Sequence, residues 1–154
     1  AGIFVPITTA DGPKNILLKG VLDKLELLGG NSVNVVDYKT SKPKTRNELS
    51  GLSKNSDGSY KRQLVFYKLL LDQYERGKYS MKSAEIDFTE PDQKGTYRKE
   101  KFIIENDEVA ALKGQIEKTA SGIYSFAFWN SHCSLPLCPY CRLRKSFLQK
   151  PLLA

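Results

Sequence analysis

A mixed α/β domain, with a central sheet flanked by helices, is the fold class this sequence predicts. Three observations carry the prediction. Alternating or β-branched apolar residues recur at 3–8, 15–27, 32–38, 83–89 and 96–104. Two other segments, 60–76 and 106–121, have helical spacing. The order is strands, helix, strands, helix, which suits a sheet with helices packed on it. The 154 residues fit one domain with a real core, and 40% hydrophobic with 27% charged residues is an ordinary soluble balance.

In the first strand Ile3, Val5 and Ile7 alternate, and Ala10-Asp11-Gly12-Pro13 reads as a turn. The chain enters with strand character and no capping element. That predicts a piece of a longer protein whose N-terminal helix lies outside it. Residues 15–27 and 32–38 form a hairpin around Gly29, Gly30 and Asn31, read as a three-residue loop with Leu28 facing Ser32. Pairing outward sets Asp23 directly opposite Asp37. Opposed residues share a face with Cβ atoms roughly 4.5–5.5 Å apart, and Lys39, two residues on, points to that face too.

Two carboxylates and an ammonium thus converge. Opposed like charges destabilise a ladder. A divalent cation between them reverses the sign, because hard cations take carboxylate oxygens. A solvated hairpin face is the plainer reading of Asp-x-Lys. Against it, Val33 and Val35 share the face of Asp37, and Val21, Leu25 and Leu27 that of Asp23. An acid or a lysine on an apolar face needs a partner or a metal.

Residues 40–59 are polar and read as a long loop, which in a compact domain points to function or mobility. Lys42, Lys44, Arg46 and Lys54 lie there, as phosphate contacts or as a solvated face. On the helix 60–76, Gln63 and Tyr67 stand one turn apart on one stripe, with Asp57 or Ser59 to cap its start and Gly77 its end. After the strands 83–89 and 96–104, Asn106 caps a helix that carries Asp107 and Glu108 in its first turn and closes at Gly122.

The tail holds the only histidine, His132, and three cysteines, Cys133, Cys138 and Cys141. Cys-x2-Cys suits a metal such as zinc. Sequence neighbours such as His132 and Cys133 seldom reach one tetrahedral ion. An iron–sulfur cluster with a fourth thiolate from elsewhere, or three reduced thiols, are the other readings. An odd, crowded set is no secreted disulfide framework, so the chain reads as intracellular. The basic run Arg142, Arg144 and Lys145 reads as a solvated face. No apolar run approaches the roughly 18 residues of a membrane span. A net charge of +7 suits a polyanionic partner.

Gly20-Val21-Leu22-Asp23-Lys24, Val36-Asp37-Tyr38-Lys39-Thr40 and Gln63-Leu64-Val65-Phe66-Tyr67, in this order and spacing, resemble the RecB-type branch of the PD-(D/E)XK nuclease superfamily. Ser121-Gly122-Ile123-Tyr124 and the cysteine-rich end resemble the close of nuclease domains fused to superfamily 1 (UvrD/Rep-like) helicases. The resemblance implies a restriction-endonuclease-like core over residues 1–126 and a basic, cysteine-containing tail over 127–154 packed on it. It implies a cytoplasmic, exonuclease-like deoxyribonuclease for DNA repair or recombination that uses magnesium or manganese. Its partners would be DNA, single-stranded or at duplex ends, and helicase domains of the same parent chain, with no membrane. Asp23, Asp37 and the Tyr38 carbonyl would be the metal ligands, Lys39 would steady water or phosphate, and Gln63 and Tyr67 would support the site. A further ligand, histidine or glutamate, belongs on a helix ahead of the first strand. The 154 residues alone are therefore expected to bind metal weakly or to be inactive. The cysteine spacing differs from the usual cluster pattern, so a cluster is expected only in the full-length protein. The competing readings are a non-catalytic DNA-binding module of the same fold and a structural metal-binding interaction domain built on the tail.

Overall fold

The computed structural model describes residues 2–9, 12–127, 133–135 and 137–148. Strands β1 (Gly2–Thr9) and β2 (Gly12–Lys19) pair antiparallel as a separate two-stranded sheet. Ile3, Val5 and Ile7 are buried and their neighbours face water, as the alternation requires. Of the expected turn, Gly12 and Pro13 open β2, while Ala10 and Asp11 lie outside the described residues.

The single strand expected over 15–27 is two strands. The chain leaves β2 at Lys19, and β3 (Lys24–Gly29) enters a different, four-stranded sheet. Apolar periodicity runs through the break because both halves are strand, so the pattern alone hides the corner. Gly20 marks it. A Cβ there would overlap Leu70 Cδ1 and sit 3.3 Å from Phe66 Cε1. The backbone must pass this close to the helix that carries Phe66 and Leu70, which only glycine permits.

The main sheet has the order β3-β4-β5-β6, with β4 (Ser32–Lys39), β5 (Ser80–Phe88) and β6 (Lys99–Phe102). β4 and β5 run parallel and the outer pairs antiparallel, so the sheet is mixed. Between β4 and β5 lie α1 (Arg46–Ser50), α2 (Ser59–Gln73) and a 3₁₀ turn at Tyr74–Arg76. α3 (Asn106–Tyr124) and α4 (Pro139–Leu148) follow β6. No described helix is long and apolar enough to cross a membrane.

The hairpin register is the expected one over β3 and β4, by a different turn. Lys24 pairs with Val36 and Leu27 with Val33, but Gly29, not Leu28, pairs with Ser32. The tight turn is Gly30-Asn31, and Leu28 is an extra residue on its strand. A two-residue turn alone would slip the register by one. The bulge restores it. Gly30, at φ 54°, supplies the left-handed conformation the turn needs. The apolar face is only half buried. Val33 and Val35 are fully buried, whereas Val21, Leu25 and Leu27 are exposed. β3 is an edge strand, and α2 lies over β4 and β5.

Residues 40–59 are not wholly loop. Thr45 and Glu48 form a reciprocal capping box that starts α1, and left-handed Gly51 ends it. Leu49, its one apolar residue, is fully buried. α2 begins after Gly58, with the Asp57 carboxylate accepting the Ser59 N–H at 3.0 Å. Gly77 closes the 3₁₀ turn by donating its N–H to the Tyr74 carbonyl. Leu64, Leu69, Leu70 and Leu71 of α2 fill the core with Ile3, Val5, Val33, Val35, Ile86 and Phe88. Each such burial stabilises by about 1.5–3 kcal/mol. α3 is capped by Glu105 rather than Asn106, and runs through Gly122 to Tyr124. Its Val109, Leu112 and Ile116 pack against the core. β6 is shorter than expected, because Thr96 belongs to a turn in which its N–H bonds to Asp92.

Gly20→Ala is predicted to lower stability by about 1–3 kcal/mol through overpacking against the fully buried Leu70. A urea titration checks this. An unchanged midpoint contradicts the close approach.

Candidate active site

Asp37, near the end of β4, is 2% exposed. A buried carboxylate is costly unless charges and donors surround it. Here a closed ring of four side chains does so. Lys39 Nζ lies 2.7 Å from Asp37 Oδ2 and donates to Gln63 Oε1 at 2.7 Å. Gln63 Nε2 donates to Tyr67 OH at 2.7 Å, and Tyr67 OH donates to Asp37 Oδ1 at 3.0 Å. Both arms of the ring run from the Lys39 ammonium to the Asp37 carboxylate, one directly and one through Gln63 and Tyr67, and along the second arm each bond polarises the next. Gln63 fits because its amide accepts from the lysine and donates to the phenol.

Local structure explains the meeting. Residues 37 and 39 point to one side of a strand. Gln63 and Tyr67 are one turn apart on α2, which lies over that side. Burial, then the Asp37 charge and the hydrogen bond to it, push the Tyr67 phenol up to about 12. Tyr67 therefore stays protonated and remains a donor across ordinary pH.

Asp23 sits just before β3, at the position that continues the register opposite Asp37. Its Oδ2 accepts the Tyr38 backbone N–H at 2.9 Å. Its charge also contributes to raising the Tyr67 phenol. Asp23 is solvent-exposed and Asp37 is not, so the two acids form the outer and inner lips of one place.

The donor set fits a hard divalent cation. Asp37 Oδ2 is buried and near the ammonium, yet among the described residues it receives no directed hydrogen bond. An open carboxylate lone pair, a second carboxylate and a main-chain carbonyl at Tyr38 are all oxygen ligands. Among the described residues no third carboxylate, histidine or cysteine joins them. Among the described residues the one convergence of three or more such side chains is the cysteine triad.

Tyr60 is a residue that the sequence reading missed. The Lys39 and Lys44 ammoniums lie over its ring at 5.4 and 5.3 Å from the centroid. Phe88 backs it with ring centroids 6.5 Å apart. The signal was present in the sequence: Tyr60, Gln63 and Tyr67 form one i, i+3, i+7 stripe. An ammonium over an aromatic face is attracted by its quadrupole, so Tyr60 holds Lys39 from the side that Gln63 leaves free.

The other expected contacts divide. Lys44 lines cavities on both sides of residues 44–45, and shares one with Lys54 and the other with Lys42. Arg46 is engaged in packing. Its Nη1 donates to the Lys101 carbonyl at 2.8 Å and reaches Glu100 Oε2 at 3.4 Å, and its guanidinium lies over Phe102.

At the tail, the Cys133, Cys138 and Cys141 sulfurs lie within 4.8 Å of one another. The Cys141 N–H, then the Cys133 thiol, lower the Cys138 thiol below its ordinary range. The Leu135 N–H favours the Cys133 thiolate, but hydrogen bonds with Cys138 and Cys141 outweigh it and raise that thiol. Pro139 opens α4 at a first-turn position that needs no N–H, which brings Cys138 and Cys141 to one side. His132 lies outside the described residues.

The family model described as PD-(D/E)XK nuclease superfamily matches residues 2–146. No curated protein gives a significant match.

Tyr67→Phe removes the donor to Asp37 and is predicted to cost about 1.5–3 kcal/mol, the range for a hydrogen bond to a charged group. The sign with pH follows from the raised phenol. Its contribution is complete below pH 10.0, the ordinary value, and is lost as pH rises through about 12. Denaturant titrations without added metal should show the gap between the unaltered protein and Tyr67→Phe closing over that window. A gap independent of pH contradicts the assignment.

Proposed function

The chain belongs to the PD-(D/E)XK nuclease superfamily, and on that premise we propose that it is a metal-dependent deoxyribonuclease that hydrolyses phosphodiester bonds. The observation that carries the reading is the ring that fixes Lys39 beside a buried carboxylate, with Asp23 at the position that continues the register opposite it.

Asp23, Asp37 and the Tyr38 carbonyl would hold magnesium or manganese. When bound, such an ion supplies positive charge against the phosphate and acidifies water. The chain's own residues do the rest. Lys39 places a point charge where negative charge grows as water oxygen bonds to phosphorus and the ester oxygen leaves. Gln63 and Tyr60 keep that ammonium from swinging into solvent. Tyr67 fixes the Asp37 carboxylate in direction. Lys42, Lys44 and Lys54 contact backbone phosphates, and Arg46 adds charge while it ties α1 to β6.

The finer reading keeps residues 1–126 as the nuclease core and 127–154 as the cysteine-bearing tail. It makes the chain a RecB-like, exonuclease-like part of a cytoplasmic helicase–nuclease for repair or recombination. The converging thiols are the basis for proposing a zinc ion there, or an iron–sulfur cluster that takes a fourth thiolate from elsewhere.

Magnesium-dependent degradation of single-stranded DNA is the test. Lys39→Ala is predicted to lower the rate by about 10²–10³-fold, the loss typical of one charge-stabilising group. Asp37→Asn, which keeps the shape of the ring, should lower it at least as much while the circular dichroism spectrum is retained. Chelation should abolish cleavage. Full activity in either variant overturns the assignment, and salt-sensitive DNA binding with no cleavage favours a non-catalytic binding module.

A further inference from the structure

Because β4 and β5 are parallel, their C-terminal ends lie side by side, with Lys39 paired to Phe88. Two loops leave from there, residues 40–45 and 89–98. The Thr89 N–H donates to the Lys39 carbonyl at 3.0 Å and ties their roots together. Between the loops lies a cavity of about 350 Å³, lined by Lys42, Lys44, Thr45, Asp92, Lys94 and Arg98 among others.

Four cations face one carboxylate, and that carboxylate is engaged. Asp92 accepts the Lys94 and Thr96 N–H groups at 2.8 and 3.1 Å and Arg98 Nε at 3.2 Å. Those backbone hydrogen bonds, with Arg98, hold it below its ordinary range. Asp92 thus shapes the 92–98 turn and offsets Arg98. Among the described residues, no ion pair to a carboxylate is seen for Lys42, Lys44 or Lys94. Lys42, Lys44 and Lys94 thus bring like charge to one cavity, and an anion bound there would offset it.

Lys44 links the cavity to the candidate active site. Lys44 lines it and shares the Tyr60 ring with Lys39. We propose that this cavity is a second phosphate subsite. It takes a non-scissile phosphate of the same nucleic-acid strand whose scissile phosphodiester lies at Lys39. The identification of the anion as a strand phosphate rests on the nuclease reading. The new element is the 92–98 turn. Lys94 is the residue it contributes, and Lys42 faces it from the other loop. Two anchored phosphates, one at each end of the Lys39–Tyr60–Lys44 line, would set the position of the strand along the site.

The test is the salt dependence of binding of a fluorescent ten-residue oligothymidylate, without divalent ions, alongside magnesium-dependent cleavage by the unaltered protein. Each phosphate contact contributes about 0.7 to the slope of log K against log salt for a single strand. Lys94→Gln should reduce the slope by about 0.7, and Lys42→Gln with Lys94→Gln by about twice that. Lys118→Gln, an exposed residue of α3, controls for net charge and should leave the slope unchanged. Equal slopes for Lys94→Gln and the unaltered protein, or an equal loss in Lys118→Gln, overturn the subsite while leaving a cleaving protein a nuclease. The predicted slopes in a protein that never cleaves sustain the subsite and favour the non-catalytic binding module. Absence of oligothymidylate binding by the unaltered protein overturns the subsite.

Discussion

A carboxylate with 2% of its surface exposed either finds a cation and donors or takes up a proton. Asp37 finds both, and the need to supply them dictates much of the surrounding architecture. Lys39 must follow at two residues to share the face. α2 must lie over β4 with an amide and a phenol one turn apart. Gly20 must let the chain pass close under Leu70 so that Asp23 arrives at the same edge. Breaking a buried pair by removing one partner is costly, because the remaining charge has no solvent to turn to. The ring is therefore a fold determinant at the proposed chemical site.

The chemical consequence is pre-organisation. Lys39 is held by Asp37, Gln63 and the Tyr60 face, so its ammonium has little freedom to lose when an anion arrives. The parallel pairing of β4 and β5 extends this. It brings the loops that follow both strands to one end of the sheet, and the cations of those loops gather there. The site and its basic surroundings thus follow from a single topological choice, the crossover that carries α1 and α2 between two parallel strands.

Much of this was legible in the sequence because the signals were local and periodic. The Asp23, Asp37 and Lys39 positions follow from strand alternation and a glycine-rich turn, and Gln63 and Tyr67 from helical spacing. The turn itself was misread, since nothing in Gly29-Gly30-Asn31 separates a three-residue loop from a two-residue turn with a bulge at Leu28. The two preserve one register, so the placing of Asp23 opposite Asp37 does not depend on which turn is used. α1 was missed because a single buried leucine leaves no periodicity, although the Thr45 and Glu48 capping box was in view. The split at Gly20 and the exposure of Leu25 and Leu27 depend on which strand is the edge, a tertiary fact. Tyr60 was overlooked because its role depends on two lysines that approach it from separate places in the chain.

The central claim is that Asp23 and Asp37 form one oxygen-lined position for a divalent ion beside Lys39. Anomalous scattering from crystals of this chain soaked in manganese tests it most directly. The account predicts a peak bounded by the Asp23 and Asp37 carboxylates and the Tyr38 carbonyl. A peak elsewhere, or none there at saturating manganese, would contradict it.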